Sequence, residues 1–478
     1  MQILLLRVPL ARSYSQKLLF VFFITAFCLL TGGQAWAAQQ MQWVDGWRET
    51  SPMLEMRSGA AHHAGHGVIH MIGGMNGQRV KDKADGGGQT ESSIVFMRTT
   101  EYARVKPDGT LSVWNKGPEL NIERGFFSAI AHNNYLYAVG GARGSYGKEL
   151  LNSIERAQIK PDGTLGQWVV EKNTLNISRR CVKLAVIGDY IYAFGGFGGI
   201  LLDSIERAQI MPDGSLGEWL VASDPMVKAR YIHGVERVGE SVYIIGGHDK
   251  ETGGGITDVE WSRQTDDSFF EPWTPKASLQ TARYGLASTS HNGFLYAIGG
   301  LSGGAYLNSI ERAQIKGEGV LSPWQYTTPL PSPREGANTV VLNDNIYLLG
   351  GSNQHSYQNS VLYASFNEQG DIGFLATPAE AEKHRAEMAA LEASQSVLPH
   401  EAVIVEHIKT KLYSYLQVSM VEDQLLVWLA APAQDFQKGM RIKFPDGAIM
   451  ENFSSKTLNR TFPFIIFISE ARVVSTGD

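Results

Sequence analysis

An arginine stands sixteen residues before a Gly-Gly pair at six places along the chain. These six repeat arginines are Arg57, Arg124, Arg179, Arg230, Arg283 and Arg334, and their partners are the pairs that begin at Gly73, Gly140, Gly195, Gly246, Gly299 and Gly350. Five units carry Tyr three residues before the first glycine, and His70 takes that place in the first unit. Successive pairs lie 51 to 67 residues apart, so the chain repeats one supersecondary unit.

Each unit predicts four short strands. In the second unit we expect them at residues 126–131, 135–139 and 152–159, with a fourth that ends at Trp168. The Asp162-Gly163 step suits a tight turn with positive φ. A Gly-Gly pair at a strand end suits close approach of another backbone.

The apolar strand that ends in Gly-Gly, followed by a spaced Tyr or Arg element and then Trp, resembles the kelch repeat over about residues 43–374. A period near 50 residues is typical of kelch blades. The resemblance implies an all-β fold with a six-bladed propeller around a central channel. We place this propeller at residues 38–376.

The sequence offers two segments that could close the propeller. Trp114, Trp168, Trp219, Trp273 and Trp324 each precede a repeat arginine by ten or eleven residues, and Trp47 precedes Arg57 by ten. The sixth unit lacks such a Trp, so the strand around Trp47 is predicted to complete the sixth blade and remove its open edge. Residues 370–374 are the alternative fourth strand of that blade.

Residues 1–37 are predicted to be a secretory signal peptide. They combine a basic start, an apolar run at 18–30 and the small-residue site Ala35-Trp36-Ala37, and a retained N-terminal anchor is the alternative. Cleavage would leave Cys181 as the single cysteine, which is ordinary in a bacterial periplasm. It would also remove three basic residues and take the formal charge from −6 to −9, which disfavours nucleic acid and anionic membranes as partners.

Thr377-Pro378-Ala379-Glu380 predicts the start of a short linker helix over 377–397. Residues 398–478 then predict a small β-unit with strands near 402–408, 412–420, 424–430, 440–444 and 464–468. Residues 413–416, 427–432 and above all 452–462 resemble the OB-fold-like domain of small bacterial periplasmic proteins of the NrfJ type. That resemblance implies a small OB-like β-barrel and a periplasmic context, with no defined activity.

The repeat arginines are the first candidate binding residues. Because the strands of a blade alternate in direction, we expect the arginines at the channel mouth, where they could bind an anionic ligand. Kelch propellers that bind acidic peptides use arginines near this position, which supports that interpretation. The alternative is that each arginine pairs with a carbonyl or carboxylate and joins the blades. The residues that follow the arginines differ between blades, as expected of ligand contacts, and include Arg180, Tyr231, Tyr284 and Glu335.

Other motifs predict structural roles. The Glu-Arg pairs of the repeated Ser-Ile-Glu-Arg segments are expected on the third-strand surface or between blades. His62, His63, His66 and His70 cluster in the first unit, but the repeat pattern accounts for their places, so no metal site is predicted. We see no cofactor motif and no nucleophile motif.

The sequence therefore favours an exported, non-enzymatic binding or scaffold protein. Its propeller would hold a protein, a peptide or a glycan, with an anionic group at the channel mouth and without a membrane span after cleavage. The alternative is a mutarotase or epimerase that acts on an acidic sugar, with Glu335 as the candidate base.

Overall fold

The computed structural model describes residues 41–77, 94–249, 254–265, 269–353, 356–395, 398, 400–410, 413–445, 447–455, 457–468 and 470–474. The predicted signal peptide, residues 1–37, lies outside the described residues. Apart from one α-helix and a 3₁₀ turn at Ser145–Gly147, the regular elements of the described residues are β-strands. Six blades form the predicted β-propeller.

We number the blades by the order of their repeat arginines. The innermost strands are β3 (Ala61–Gly65), β9 (Ser128–His132), β15 (Lys183–Ile187), β19 (Gly234–Val238), β23 (Ala287–His291) and β30 (Asn338–Leu342). The second strands are β4 (Val68–Ile72), β10 (Tyr135–Val139), β16 (Tyr190–Phe194), β20 (Ser241–Ile245), β24 (Phe294–Ile298) and β31 (Asn345–Leu349). Each innermost strand lies beside those of both neighbouring blades, and β30 contacts β3, so the ring of blades is closed.

The third strands pair antiparallel with the second. They are β7 (Thr100–Arg104), β13 (Ile154–Gln158), β17 (Ile205–Gln209), β21 (Val259–Arg263), β27 (Ile310–Gly317) and β32 (Val361–Phe366). The outermost strands are β8 (Asn115–Lys116), β14 (Val169–Val170), β18 (Leu220–Val221), β22 (Thr274–Pro275), β29 (Gln325–Thr327) and, in blade six, β2 (Arg48–Thr50).

The remaining strands of this region are short or lie at its ends. They are β1 (Gln42–Asp45), β5 (Met75–Asn76), β6 (Val95–Phe96), β11 (Ala142–Arg143), β12 (Glu149–Leu150), β25 (Leu301–Ser302), β26 (Ala305–Tyr306), β28 (Val320–Leu321) and β33 (Ile372–Ala376). The apolar core lies between neighbouring blades. Tyr137 and Val139 of blade two, for example, are buried against Ile191 and Trp219 of blade three.

The Gly-Gly pair joins each blade to the next. The N–H of the second glycine donates to the carbonyl oxygen of the next blade's repeat arginine over 2.7–2.9 Å, and Gly351 completes the series at Arg57. A Cβ on the first glycine would lie only 2.5–2.8 Å from that carbonyl oxygen. The first glycines also have φ between 52° and 66°. Close approach and a left-handed backbone together explain why glycine recurs there.

The repeated tyrosine forms a second link between blades. The hydroxyls of Tyr137, Tyr296 and Tyr347 donate to a carbonyl in the next blade, in its turn between third and fourth strands, over 2.7–2.9 Å. In blade one, Nε2 of His70 lies 2.8 Å from the corresponding carbonyl of Gly163. The repeated aromatic position is therefore accounted for by its interblade hydrogen bond.

Both predicted closing segments contribute to blade six. The N-terminal strand β2 pairs with β32, with Glu49 opposite Leu362. Strand β33 pairs with the other end of β32, with Ile372 opposite Phe366. Trp47 is 4% exposed and packs in the core of this blade. The closing role predicted for the strand around Trp47 is confirmed, and the fourth strand of blade six is shared between two distant segments.

Helix α1 spans Pro378–Gln395. Its start is the predicted capping box, because the Thr377 N–H donates to Glu380 Oε2 at 2.9 Å and the Glu380 N–H donates to Thr377 Oγ1 at 3.3 Å. No helix in the described part of the chain combines the length and the apolar character that a membrane crossing requires.

The C-terminal segment forms one seven-stranded sheet in the order β38-β39-β36-β35-β34-β37-β40. Its strands are β34 (His400–Lys409), β35 (Tyr413–Met420), β36 (Leu426–Pro432), β37 (Arg441–Phe444), β38 (Ala448–Ser455), β39 (Arg460–Phe467) and β40 (Arg472–Val473). Strands β36 and β39 run parallel. Five strands match predicted segments, whereas β38 and β40 were not expected. An OB-like barrel stays a prediction.

The chain divides into two compact units. One consists of Leu375–Ala386 with the described part of residues 1–44, and the other of Asp45–Phe374 with Glu387–Asp478. The predicted boundaries at 376/377 and 397/398 stay predictions.

Candidate functional site

The repeat arginines lie inside the blades. Five of them are 0–1% exposed and Arg334 is 5% exposed. In every blade Nη1 of the arginine donates to the carbonyl oxygen of the first glycine of its Gly-Gly pair over 2.7–2.9 Å. This hydrogen bond explains why the sixteen-residue spacing does not vary.

A buried glutamate on the third strand neutralises the arginine in five blades. The pairs are Arg57–Glu101, Arg124–Glu155, Arg179–Glu206, Arg230–Glu260 and Arg283–Glu311. In blade two Nη2 of Arg124 lies 2.9 Å from Glu155, which also accepts the N–H groups of Asn121 and Ile122 at 2.7 and 3.1 Å. Burial lowers the pKa of Arg124, and the negative charge of Glu155 raises it. The carboxylate therefore pairs with one buried cation and accepts hydrogen bonds from two backbone N–H groups.

Blade six departs from this arrangement in a coordinated way. Leu362 stands on β32 where the other third strands carry glutamate, and Pro331 stands where the other blades present an N–H to that glutamate. Arg334 keeps the hydrogen bonds to the carbonyl oxygen of Gly350 and to Ser360 Oγ, the latter at 2.8 Å. Burial lowers the pKa of Arg334. The carboxylate and one of its backbone donors are thus replaced together.

The structure therefore places the repeat arginines within the blades, and it does not bring their guanidinium groups together at the channel mouth. This geometry agrees with the carbonyl and carboxylate pairing of the alternative. The paired groups belong to the arginine's own blade, so its side chain joins strands within a blade and not neighbouring blades. A ligand contact by these six side chains stays a prediction.

The Glu-Arg pairs of the Ser-Ile-Glu-Arg segments divide between two roles. Glu155, Glu206 and Glu311 are fully buried partners of the repeat arginines and not surface residues. Arg156 makes the predicted blade-to-blade contact, because its Nη1 donates to the carbonyl of Asp213 at 2.7 Å.

The residues directly after the repeat arginines surround the mouth of the channel. We call them the mouth residues: Ser58, Gly125, Arg180, Tyr231, Tyr284 and Glu335. Each forms a β-bridge to the residue that follows the Gly-Gly pair of its own blade, for example Arg180 to Phe197 and Tyr231 to His248. Their backbone positions are therefore equivalent while their side chains differ. The predicted contacts Tyr231, Tyr284 and Glu335 belong to this set.

The next residue in each blade forms a belt of backbone around the channel. This mouth belt consists of Gly59, Phe126, Cys181, Ile232, Gly285 and Gly336, which all have φ between 47° and 62°. At five of the six junctions between blades the N–H of one belt residue donates to the carbonyl of its neighbour over 2.5–3.4 Å. The belt lines a cavity of about 60 Å³. Glycine occupies the belt in blades five, six and one, whereas Phe126, Cys181 and Ile232 occupy it in blades two to four.

Aromatic side chains and one arginine form an arc along one side of the mouth. The mouth arc consists of Phe126, Arg180, Phe197, Tyr231, His248 and Tyr284, all partly exposed. Ring centroids from Phe197 through Tyr231 and His248 to Tyr284 are separated by 5.3–6.1 Å. The guanidinium carbon of Arg180 lies 4.9 Å from the Phe197 centroid and 5.9 Å from that of Phe126. Half-exposed rings beside a cation are the side chains that dominate binding surfaces.

Glu335 contributes the carboxyl group at the mouth. Ser352 Oγ donates to Glu335 Oε2 at 2.9 Å, and burial raises the pKa of this carboxyl group. Burial raises the pKa of the Tyr284 hydroxyl to about 12, and the nearby Glu335 charge adds to the shift. Burial likewise raises the pKa of Tyr231. The mouth therefore offers hydroxyl groups that stay protonated and one carboxyl group that resists ionisation.

The histidines of blade one occupy the structural positions that the repeat pattern predicts. Nδ1 of His62 lies 2.8 Å from Asn338 Oδ1, and His63 stacks on His70 with centroids 6.1 Å apart. Burial lowers the pKa of His62 and His70 to about 4 and that of His63 to about 3. Among the described residues no group of three or more His, Cys, Asp or Glu is arranged to hold a metal.

Fold and repeat together define a six-bladed kelch-repeat β-propeller. Curated relatives carry the same repeat. Beta-scruin of Limulus polyphemus is 29% identical over 179 residues, 34% of this chain and 18% of that protein. Kelch-like protein 36 of Bos taurus is 27% identical over 284 residues, 58% of this chain and 42% of that protein. Kelch-like protein 23 of Mus musculus is 25% identical over 184 residues, 38% of this chain and 31% of that protein.

The chain therefore spans less than half the length of these curated relatives. No protein-family model matches it. A solved structure described as "Structure of YjhT" superposes with a TM-score of 0.52 at 13% identity, covering 68% of this chain and 99% of that one. At this identity the likeness shows the fold alone.

Sequence reasoning missed part of the mouth. Phe126, Phe197 and His248 were not singled out, although Phe197 and His248 stand two residues after the first glycine of their pairs. That position varies between blades in the same way as the mouth residues. An alignment of the six units would have revealed it as a second variable position on the same face.

Proposed function

We propose that this chain is a non-enzymatic binding protein whose propeller holds a partner over the channel mouth. Kelch propellers generally mediate protein binding, which agrees with a binding scaffold. The partner is a protein, a peptide or a glycan that places flat or apolar groups on the mouth arc and a polar group towards Glu335.

The proposal rests on the contrast between the repeat arginines and the mouth residues that directly follow them. The repeat arginines are the same in every blade and are buried, whereas the mouth residues differ between blades and are mostly partly exposed. Residues that build the blades repeat with the blade. Partly exposed side chains that vary on a rigid scaffold are typical of binding surfaces.

We further propose that the partner carries an anionic group. With the repeat arginines inside the blades, Arg180 is the guanidinium that faces the described mouth. Stacking on Phe197 holds its planar group in place, which suits bidentate recognition of a carboxylate. An acidic glycan or an acidic peptide would satisfy this arrangement.

We also propose export to a bacterial periplasm and an OB-like form for the C-terminal sheet. Both rest on the sequence: the basic, apolar and small-residue pattern of residues 1–37, and the resemblance of residues 452–462. The order of the C-terminal strands, with the parallel pair β36 and β39, is compatible with an OB-like form.

Binding can be tested with the protein lacking residues 1–37 on an array of glycans and acidic peptides. Replacement of Tyr231 or Tyr284 with alanine is expected to weaken binding to the retained ligand at least about tenfold, because each removes an aromatic ring from the mouth arc. Tyr326→Ala is the matched control, since this tyrosine is 52% exposed on an outermost strand. Wild-type affinity in both mouth variants would contradict the proposal.

A mutarotase or epimerase that acts on an acidic sugar is the second candidate. The observation in its favour is Glu335, a carboxyl group with a raised pKa beside Tyr284. NMR exchange between the anomers of an acidic sugar discriminates the two. Exchange that catalytic amounts of the protein accelerate would favour the enzyme.

A further inference from the structure

A second cavity lies inside the propeller, below the mouth belt. Its volume is about 350 Å³, and residues on the innermost strands of all six blades line it. It is therefore the central channel itself. The titratable and amide residues in its lining are Lys183, Glu236, His62, His63 and Asn338.

Lys183 is the one lysine or arginine that lines either cavity. It begins the innermost strand of blade three, and it borders both the mouth cavity and the channel cavity. Within the described residues its ammonium group donates no hydrogen bond and has no carboxylate oxygen within 4.0 Å. Burial lowers the pKa of Lys183. Lys183 is partly exposed to the channel, so its ammonium group needs water or an anion beside it.

Asn338 offers a hydrogen-bond donor on the opposite side of the channel. It begins the innermost strand of blade six, three blades away from Lys183, and it also borders both cavities. Its Oδ1 lies 2.8 Å from Nδ1 of His62, and it accepts a hydrogen bond in the tautomer that carries the ring proton on Nδ1. The NH₂ group of Asn338 then remains for another acceptor. Lys183 and Asn338 thus present donors to the space between them.

The other groups near Lys183 leave its charge unbalanced. Glu236 accepts a hydrogen bond from Ser288 Oγ at 2.7 Å and also interacts with Ser290, and burial raises its pKa to about 7. Burial raises the pKa of the Cys181 thiol to about 12. Burial lowers the pKa of both His62 and His233. At pH 6 these four groups are therefore largely neutral, and Lys183 supplies the positive charge in this part of the channel.

We propose that the channel binds a small carboxylate anion between Lys183 and Asn338. The site is distinct from the mouth arc and goes beyond the proposed function. A monoanion matches one ammonium group and one amide donor. The doubly charged form of phosphate would need a second cation, and the described lining supplies none. The channel volume of about 350 Å³ accommodates an organic acid of several carbon atoms together with water.

Saturation-transfer NMR with acetate as the probe tests this site in the full-length protein. We expect an acetate signal with the wild type, and a loss of affinity on the order of tenfold or more in Lys183→Met. Lys228→Met is the matched control, because Lys228 lies on the surface 3.0 Å from Asp258. Asn338→Asp provides a second variant of nearly unchanged shape, and it should also abolish the signal because its carboxylate repels the anion or pairs with Lys183.

The outcomes are distinguishable. The signal should be weaker at pH 8 than at pH 6, because ionised Glu236 then opposes the anion. An equal acetate signal in wild type and in folded Lys183→Met or Asn338→Asp overturns the proposal, as does the absence of any signal in the wild type. Stronger displacement by inorganic phosphate than by a second carboxylate overturns the assignment to carboxylates.

Discussion

Replacement of Glu155 with glutamine is expected to lower the free energy of unfolding by about 3–5 kcal/mol, because it leaves the buried Arg124 without a counter-charge. Both side chains are fully buried, and Nη2 of Arg124 lies 2.9 Å from the carboxylate. The amide side chain also offers one acceptor atom where the carboxylate offers two, so the N–H groups of Asn121 and Ile122 cannot both keep their partner. Chemical denaturation followed by circular dichroism measures the change.

Glu218→Gln is the control for this variant. Glu218 is exposed on the surface of blade three, so its substitution should change the free energy of unfolding by no more than about 0.5 kcal/mol. If Glu155→Gln unfolds at the same denaturant concentration as Glu218→Gln, the buried pair does not stabilise the blade and the account of the repeat arginines fails.

Trp47→Ala is expected to cost about 3–5 kcal/mol of unfolding free energy, as is usual for truncation of a large buried aromatic residue. Trp47 is 4% exposed and packs against residues of blade six such as Leu348 and Ala364. It thereby holds the N-terminal closing strand β2 on the last blade. The loss should therefore also speed proteolytic cleavage near residue 50, because the closing strand separates more often.

Leu54→Ala provides the comparison for Trp47. Leu54 lies in the same N-terminal segment but is 48% exposed, so its truncation should have little effect on unfolding. Unfolding and proteolysis of Trp47→Ala that match Leu54→Ala would mean that the ring does not depend on this strand.

The repeat was sufficient to predict the fold. Arg57 to Gly73 and its five equivalents indicated six equal units, and the structure has six blades joined by hydrogen bonds from Gly-Gly to the next arginine. The sequence presented Trp47 and residues 370–374 as alternatives for closing the ring. Both pair with β32, because strands β2 and β33 are short enough to share that edge.

The environment of the arginines was harder to predict. The partner of Arg124 is Glu155, which stands 31 residues later on a different strand. The spacing within a unit does not say which face of the third strand turns inwards, so Glu155 was read as a surface or interblade residue. The departure of blade six, where Leu362 and Pro331 replace the carboxylate and a donor together, could have revealed the pairing from sequence.

The mouth was partly predictable. Tyr231, Tyr284 and Glu335 were selected because the position after the arginine varies, and the structure places all three around the channel opening. Phe197 and His248 reach the mouth because their backbones form β-bridges to Arg180 and Tyr231. Those bridges depend on the register between two segments of one blade, and the sequence does not reveal that register.

The central claim is that the repeat arginines are enclosed in the blades while varied side chains lie around the channel mouth. Modification of the folded protein with an arginine-specific dicarbonyl reagent, read out by peptide mass spectrometry, tests it most directly. Arg98 and Arg143, whose side chains are 50% and 42% exposed, should react. The repeat arginines, at 0–5% exposure, should remain unmodified until the protein unfolds. Reaction of the repeat arginines in the native protein as fast as that of Arg98 would contradict the account.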